Sequence, residues 1–180
     1  MRPRLHRAPG ENTGDIHETA LRMLARRGLS RAEITERLER RGFEATAVRA
    51  EIARLERAGL VDELALARAV CQAQFRAGRG RRAVMAALKR RRVAKEAAAD
   101  TLAEFTEGEP ERSALSAAFA RVTARHRFWR RLPEERRKVI RYLLARGFSL
   151  EAVRRALEEN GRNDPHGEQT NDAGDPPGLP

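Results

Sequence analysis

Apolar residues return along this chain on a spacing that itself repeats. Ile34, Leu38, Phe43, Val48 and Ile52 stand four, five, five and four residues apart, with Arg and Glu crowding the positions between them. Adding 50 to each number reaches Val84, Leu88, Val93, Ala98 and Leu102, and adding a further 55 reaches Val139, Leu143, Phe148, Val153 and Leu157. All of these positions are apolar. An offset of four keeps two side chains on one helix face, whereas the two fives step across a turn onto the next helix. Each copy therefore predicts two helices joined tightly at Gly42-Phe43, Arg92-Val93 and Gly147-Phe148. Glycine suits the left-handed residue that ends a helix, and the apolar residue after it packs back on the last turn. Arg92 departs from that rule, so the middle turn is either strained by ~1–2 kcal/mol or built differently.

One more helix precedes each pair. These are predicted over 16–27 with Leu21 and Leu24, over 63–76 with Leu66 and Val70, and over 111–125 with Leu115, Phe119 and Val122. Start signals agree: Ser30 and Glu33 have the spacing of a capping box, and Pro110 and Pro133 stand where a first helical turn tolerates proline. The expected fold is all-α, with three tandem three-helix-bundle repeats forming an elongated, curved array. Module 1 is expected over 15–60, module 2 over 61–108 and module 3 over 109–160. One module alone is too poor in apolar residues to bury its stripe, so neighbours must stack. Residues 1–14 are read as a flexible start, and 161–180, rich in Gly, Pro, Asn and Asp, as a disordered tail.

Composition narrows the functional classes. Aromatics are 4% of the chain, and the net charge is +11 with an isoelectric point near 11.3, which favours polyanionic partners. No apolar run approaches the ~20 residues that span a bilayer, and the basic start has no apolar segment behind it, so a cytoplasmic protein without a membrane partner is expected. Cys71 is the single cysteine, which excludes an internal disulfide and reads as a small buried apolar residue. No zinc spacing and no cofactor motif stand out, and His6, His17, His126 and His166 are scattered, so no catalytic, metal or cofactor site is expected.

The modular order, the capped "LARRGLSRAEITERLERRGF", "GLVDELALA" opening the second module, "GRGRRAVMAALKRRRV", and "RYLLARGFSLEAVRRAL" in the third together resemble the RecX family. The resemblance spans about 16–160. Leu66 stands where the family usually has an aromatic residue, and Arg92 where it usually has Gly. The resemblance implies a small bacterial regulator without catalytic activity, acting in DNA repair, recombination and the SOS response. It implies a monomer that binds the helical RecA–DNA filament, inhibits its ATP hydrolysis and strand exchange, and hinders filament extension.

The charge distribution is read independently of that likeness. Arg79, Arg81, Arg82, Lys89, Arg90, Arg91, Arg92 and Lys95 form a stretch without a single acid. Four consecutive basic residues at 89–92 sweep about 300° of helix, so they cannot all share one face. Within 121–138, Arg121, Arg125, Arg127, Arg130, Arg131, Arg136, Arg137 and Lys138 outweigh Glu134 and Glu135. The expected partner- and phosphate-binding residues are Arg79, Arg81, Arg82, Lys89, Arg90, Arg91, Lys95, Arg130, Arg131, Arg137 and Lys138, with weak, non-sequence-specific DNA binding. Two motifs take plainer readings. In "RHRFWRR", Phe128 and Trp129 are expected to end a helix and pack in the core rather than stack on bases. "AGRGRR" at 77–82 reads as a turn, since no Lys-Ser/Thr follows as in a nucleotide loop.

Two alternatives stay open. A tandem helix-turn-helix DNA reader would want Arg, Asn or Gln at the start of its recognition helices. Here those starts read "EATAV" and "SLEAV". A helical adaptor for another protein partner is the other.

Overall fold

The computed structural model describes residues 14–106 and 109–162, which form nine α-helices and no strand among the described residues. They pack in threes. The first module holds α1 (Ile16–Leu24), α2 (Arg31–Glu39) and α3 (Ala45–Arg57). The second holds α4 (Glu63–Arg76), α5 (Arg81–Arg90) and α6 (Lys95–Thr106), and the third α7 (Glu109–Thr123), α8 (Pro133–Ala145) and α9 (Leu150–Arg162). All fifteen positions of the apolar repeat are buried, none more than 8% exposed. Between modules, α7 lies against α4 and α6, so the third module stacks directly on the second.

The tight turns share one construction. After each second helix the amide of the apolar residue that follows the left-handed position bonds back five residues: Phe43 to Leu38 O, Val93 to Leu88 O and Phe148 to Leu143 O, at 3.2–3.3 Å. Gly42, Arg92 and Gly147 occupy the left-handed position, with φ of 85°, 52° and 91°. The middle turn is thus built like the others, and Arg92 bears the strain of a side chain there. Ser30 and Glu33 form the complete capping box, Ser30 Oγ accepting from the Glu33 amide and Glu33 Oε2 from the Ser30 amide.

Four expectations need correction. Helix α1 stops at Leu24, not 27, because the Arg26 amide bonds Met23 O three residues back and tightens the last turn. Its buried residues are Ala20 and Met23, while Leu24 is half-buried and Leu21 is 36% exposed. Helix α7 covers 109–123 rather than 111–125, since the Arg125 amide likewise turns back to Val122 O. Gly161 and Arg162, assigned to the tail, are the last residues of α9. That helix end is held by Arg130, which donates to Asn160 O, and by Asn160 Nδ2, which donates to Ala156 O. The rest of the expected tail, and all but Gly14 of the expected flexible start, lie outside the described residues.

Candidate interaction surface

The junctions between modules decide which charges remain available. Two contacts recur at both. Glu63, at the start of α4, accepts the Arg31 amide at the start of α2 (2.7 Å), and Glu111, at the start of α7, accepts the Arg81 amide at the start of α5 (3.0 Å). Each carboxylate caps the preceding module's second helix, where free amides and the helix dipole favour negative charge. Glu63 also accepts the Ala94 amide ahead of α6 (2.9 Å). In parallel, Arg91 reaches back to Gly28 O (2.6 Å) and Arg146 to Ala77 O (2.9 Å).

Beyond that shared plan the junctions diverge. At the second, Gly80 donates to Arg146 O (2.9 Å) and Arg82 to Gly147 O (3.0 Å). A Cβ on Gly80 would lie 2.5 Å from Phe148 N, and one on Gly147 2.5 Å from Ala83 N, so the chains touch backbone to backbone. One continuous apolar cluster runs from Ala67 in α4 to Leu157 in α9. The repeat numbering places Ser30, Glu33 and Arg92 at the first junction where Gly80, Ala83 and Gly147 stand at the second. Those larger side chains forbid the same approach, and an ion-pair set takes its place. Arg91 forks onto both Glu33 oxygens (3.1 and 3.2 Å), Arg27 adds a third bond (3.0 Å), and Arg92 reaches Glu36 (2.7 Å). The first module keeps a separate apolar cluster, from Ala20 to Val61. A cleft of about 580 Å³ opens at this junction between Leu29, Leu60, Leu66 and Val70, with Arg90 and Arg91 on its lining.

Burial pushes the Glu33 carboxyl up. The Arg91 fork, the Ser30 amide and Arg27 outweigh it and hold the group below the ordinary carboxylate range. Cys71 is fully buried in α4, and burial, with Glu104 adding to it, pushes its thiol up to about 11. It is therefore an inert core residue. No group of His, Cys, Asp and Glu among the described residues could hold a metal ion.

The expected binding residues fall into two groups. Arg81, Arg82, Lys89 and Arg90 are exposed across about half the circumference of α5, with Arg79 just before it and Lys95 opening α6; none has an ion pair among the described residues. Arg91 is drawn out of this group and into the junction. The turn after α7 and the first half of α8 bring a second group, Arg130, Arg131, Arg137 and Lys138, all exposed. Arg137 and Arg131 are unpaired among the described residues. Lys138 bonds Glu135 (2.5 Å), which His126 also meets (2.6 Å), and the lysine first and then the histidine hold that carboxyl low. Arg130 lies over the Trp129 ring, 4.9 Å from its centroid. The amides of 77–82 do not cradle an anion, since Gly80, Arg81 and Arg82 all donate to the third module.

For "RHRFWRR" the expectation was half right. Trp129 is buried edge-on against Phe119, with centroids 5.3 Å apart, whereas Phe128 is 62% exposed. Both follow α7 rather than ending it, and a tight turn can aim only one of two neighbours inward. Sequence reading also missed Glu63, Glu111 and Arg146. For Arg146 the signal was the repeat itself, since 91 to 146 is the same step as 92 to 147, whereas 63 to 111 falls two residues short of the step from 31 to 81 and so lies off the register.

Fold and surface together define a helical-repeat protein of three tandem three-helix modules that displays, on its second and third modules, cations with no ion pair among the described residues. Two family models match it: "RecX, first three-helix domain" over residues 17–55 and "RecX, third three-helix domain" over 120–157. Regulatory protein RecX of Halorhodospira halophila is 30% identical over 155 residues, 84% of this chain and 92% of that protein. Regulatory protein RecX of Thermus thermophilus is 37% identical over 144 residues, 78% of this chain and 91% of that protein. The crystal structure of RecX from Lactobacillus salivarius superposes with a TM-score of 0.72 at 16% identity, covering 80% of this chain and 93% of that one. The chain belongs to the RecX family.

Proposed function

We propose that this protein regulates RecA by binding the RecA–DNA filament, where it inhibits ATP hydrolysis and strand exchange and hinders filament extension. It acts as a monomer, through occupancy and without catalysis, and touches DNA without reading sequence. Membership of the RecX family supports this choice of partner. The observation that carries the mode of binding is the row of unpaired cations on α5, Arg81, Arg82, Lys89 and Arg90, exposed beside a junction that has drawn Arg91 away. Such a face seeks an acidic surface or phosphates and releases counterions on meeting them.

The test follows RecA ATP hydrolysis on single-stranded DNA as this protein is added. Inhibition well below one-to-one stoichiometry, weakening as salt rises, is the expected result. The triple charge reversal Arg81→Glu, Arg82→Glu and Arg90→Glu should relieve inhibition while leaving helicity unchanged. Unaltered inhibition by that variant would refute the α5 face as the contact. A sequence-dependent shift of bare duplex DNA would favour the helix-turn-helix reading instead.

A further inference from the structure

Phe128 is the most exposed large apolar side chain among the described residues, at 62%. Its exposure comes from a braced turn, not a loose one. Trp129, its neighbour, is locked into the core against Phe119. The Trp129 amide donates to His126 O, while Phe128 O accepts the amides of Arg131 (3.0 Å) and Leu132 (2.8 Å). His126 ties the turn to Glu135 in α8, and Arg130 ties it to the end of α9. The backbone that carries the ring is therefore braced with the side chain outward, so little backbone ordering is left to lose on contact.

Its surroundings specify what it can meet. Arg125, Arg127 and Arg131 are exposed and have no ion pair among the described residues, and Leu132 beside them is 41% exposed. Of the acids on its own side of the sequence, Glu135 is already taken by Lys138 and His126, leaving Glu134, while the end of α9 that Arg130 reaches brings Glu158 and Glu159. An exposed aromatic ring flanked along the turn by exposed arginines complements a chain that offers flat apolar rings and an anionic backbone together. Single-stranded nucleic acid is that ligand, whereas a duplex keeps its rings stacked inside.

We propose that Phe128 is a base-stacking platform for single-stranded nucleic acid, with Arg125, Arg127 and Arg131 receiving the backbone phosphates. This deepens the filament-regulator reading by giving the third module its own contact to the strand. It is tested without RecA, so the two can fail separately.

The full chain is titrated into a labelled oligothymidylate and, in parallel, into an abasic strand of equal length, reading anisotropy and the emission of Trp129, the only tryptophan. Phe128→Ala should weaken oligothymidylate binding roughly 5- to 100-fold, the loss of an aromatic–base stack. Its salt slope should not change, and Phe128→Trp should restore affinity. Arg127→Ala or Arg131→Ala should lower the slope by about 0.7 each. Abasic binding should be equal for wild type and Phe128→Ala. The proposal is overturned if the wild-type chain does not bind oligothymidylate, or if Phe128→Ala binds it as wild type does. It is equally overturned if the loss is as large on the abasic strand. Should Phe128→Ala keep oligothymidylate binding yet lose inhibition of RecA, the ring meets protein instead. Because Phe128 lies outside the core, an unchanged melting curve checks the fold.

Discussion

Replacing Arg91 by Ala probes the first junction most directly. The variant loses the fork onto Glu33 and the bond to Gly28 O. A buried carboxylate left alone would cost about 3–5 kcal/mol, and an exposed pair about 0–1. Glu33 is in neither position: its side chain is 10% exposed, Arg91 is 26% exposed, and Arg27 and the Ser30 amide stay behind as partners. The expected loss is therefore about 2 kcal/mol, between those limits.

The loss should also depend on pH in a stated direction. The Glu33 carboxyl is held below its ordinary value of 4.5 when folded. Its contribution is then complete above that value and disappears as pH falls through the lower folded-state value, so the gap between wild type and variant should close in acid. Urea denaturation gives the magnitude, and hydrogen exchange on α2 locates it, since modules with separate apolar clusters need not open together. Glu33→Gln keeps a residue able to close the capping box, so a double-mutant cycle with Arg91→Ala isolates the pair and should return about 1 kcal/mol or more. A loss under about 0.5 kcal/mol, the range of an ordinary surface substitution, or a cycle that sums to zero, would refute an ion-paired junction.

Other substitutions separate strain, volume and reactivity. Arg92→Gly relieves the left-handed turn but gives up a half-exposed pair with Glu36, so its urea midpoint should stay near wild type; Arg92→Ala keeps the strain, loses the pair and should be about 1 kcal/mol less stable than the glycine variant. Gly80→Ala forces a Cβ to 2.5 Å from Phe148 N, against backbone that cannot step aside, and should cost about 3 kcal/mol or more by the same assay. Cys71, with its thiol pushed up to about 11, should resist a thiol reagent at pH 8 until urea unfolds the chain.

The repeat was legible because burial imposes a period that surface positions do not share, and the same fifteen residues mark it in the chain and in the core. The anomaly at Arg92 was legible for a related reason, since a turn that needs a left-handed residue exposes any substitute for glycine. What stayed hidden were choices among near-equals. Leu21 is more apolar than Ala20, yet Ala20 and Met23 face the core because rotation of α1 against α3 is set by packing that one helix cannot reveal. Phe128 and Trp129 look alike in sequence, and only the turn decides which goes in. Arg91 could not be told from Arg90, because its partner Glu33 is 58 residues away.

The two junctions also assign the array's compliance. Glycine at 80 and 147 with Ala83 lets backbones meet and apolar surface run on, so parting the second and third modules breaks core packing. Ser30, Glu33 and Arg92 at the matching places hold the first module by charge across a polar seam beside an open cleft. Bending the array to follow a partner costs least at that seam. Salt screens the exposed Arg92–Glu36 pair and the α5 cations together, so a salt series alone confounds a softened hinge with a weakened contact. Arg91→Ala loosens the hinge and leaves the α5 cations in place, whereas charge reversal at Arg81 and Arg82 alone, which do not line the cleft, does the opposite; comparing the two variants separates shape from charge in binding.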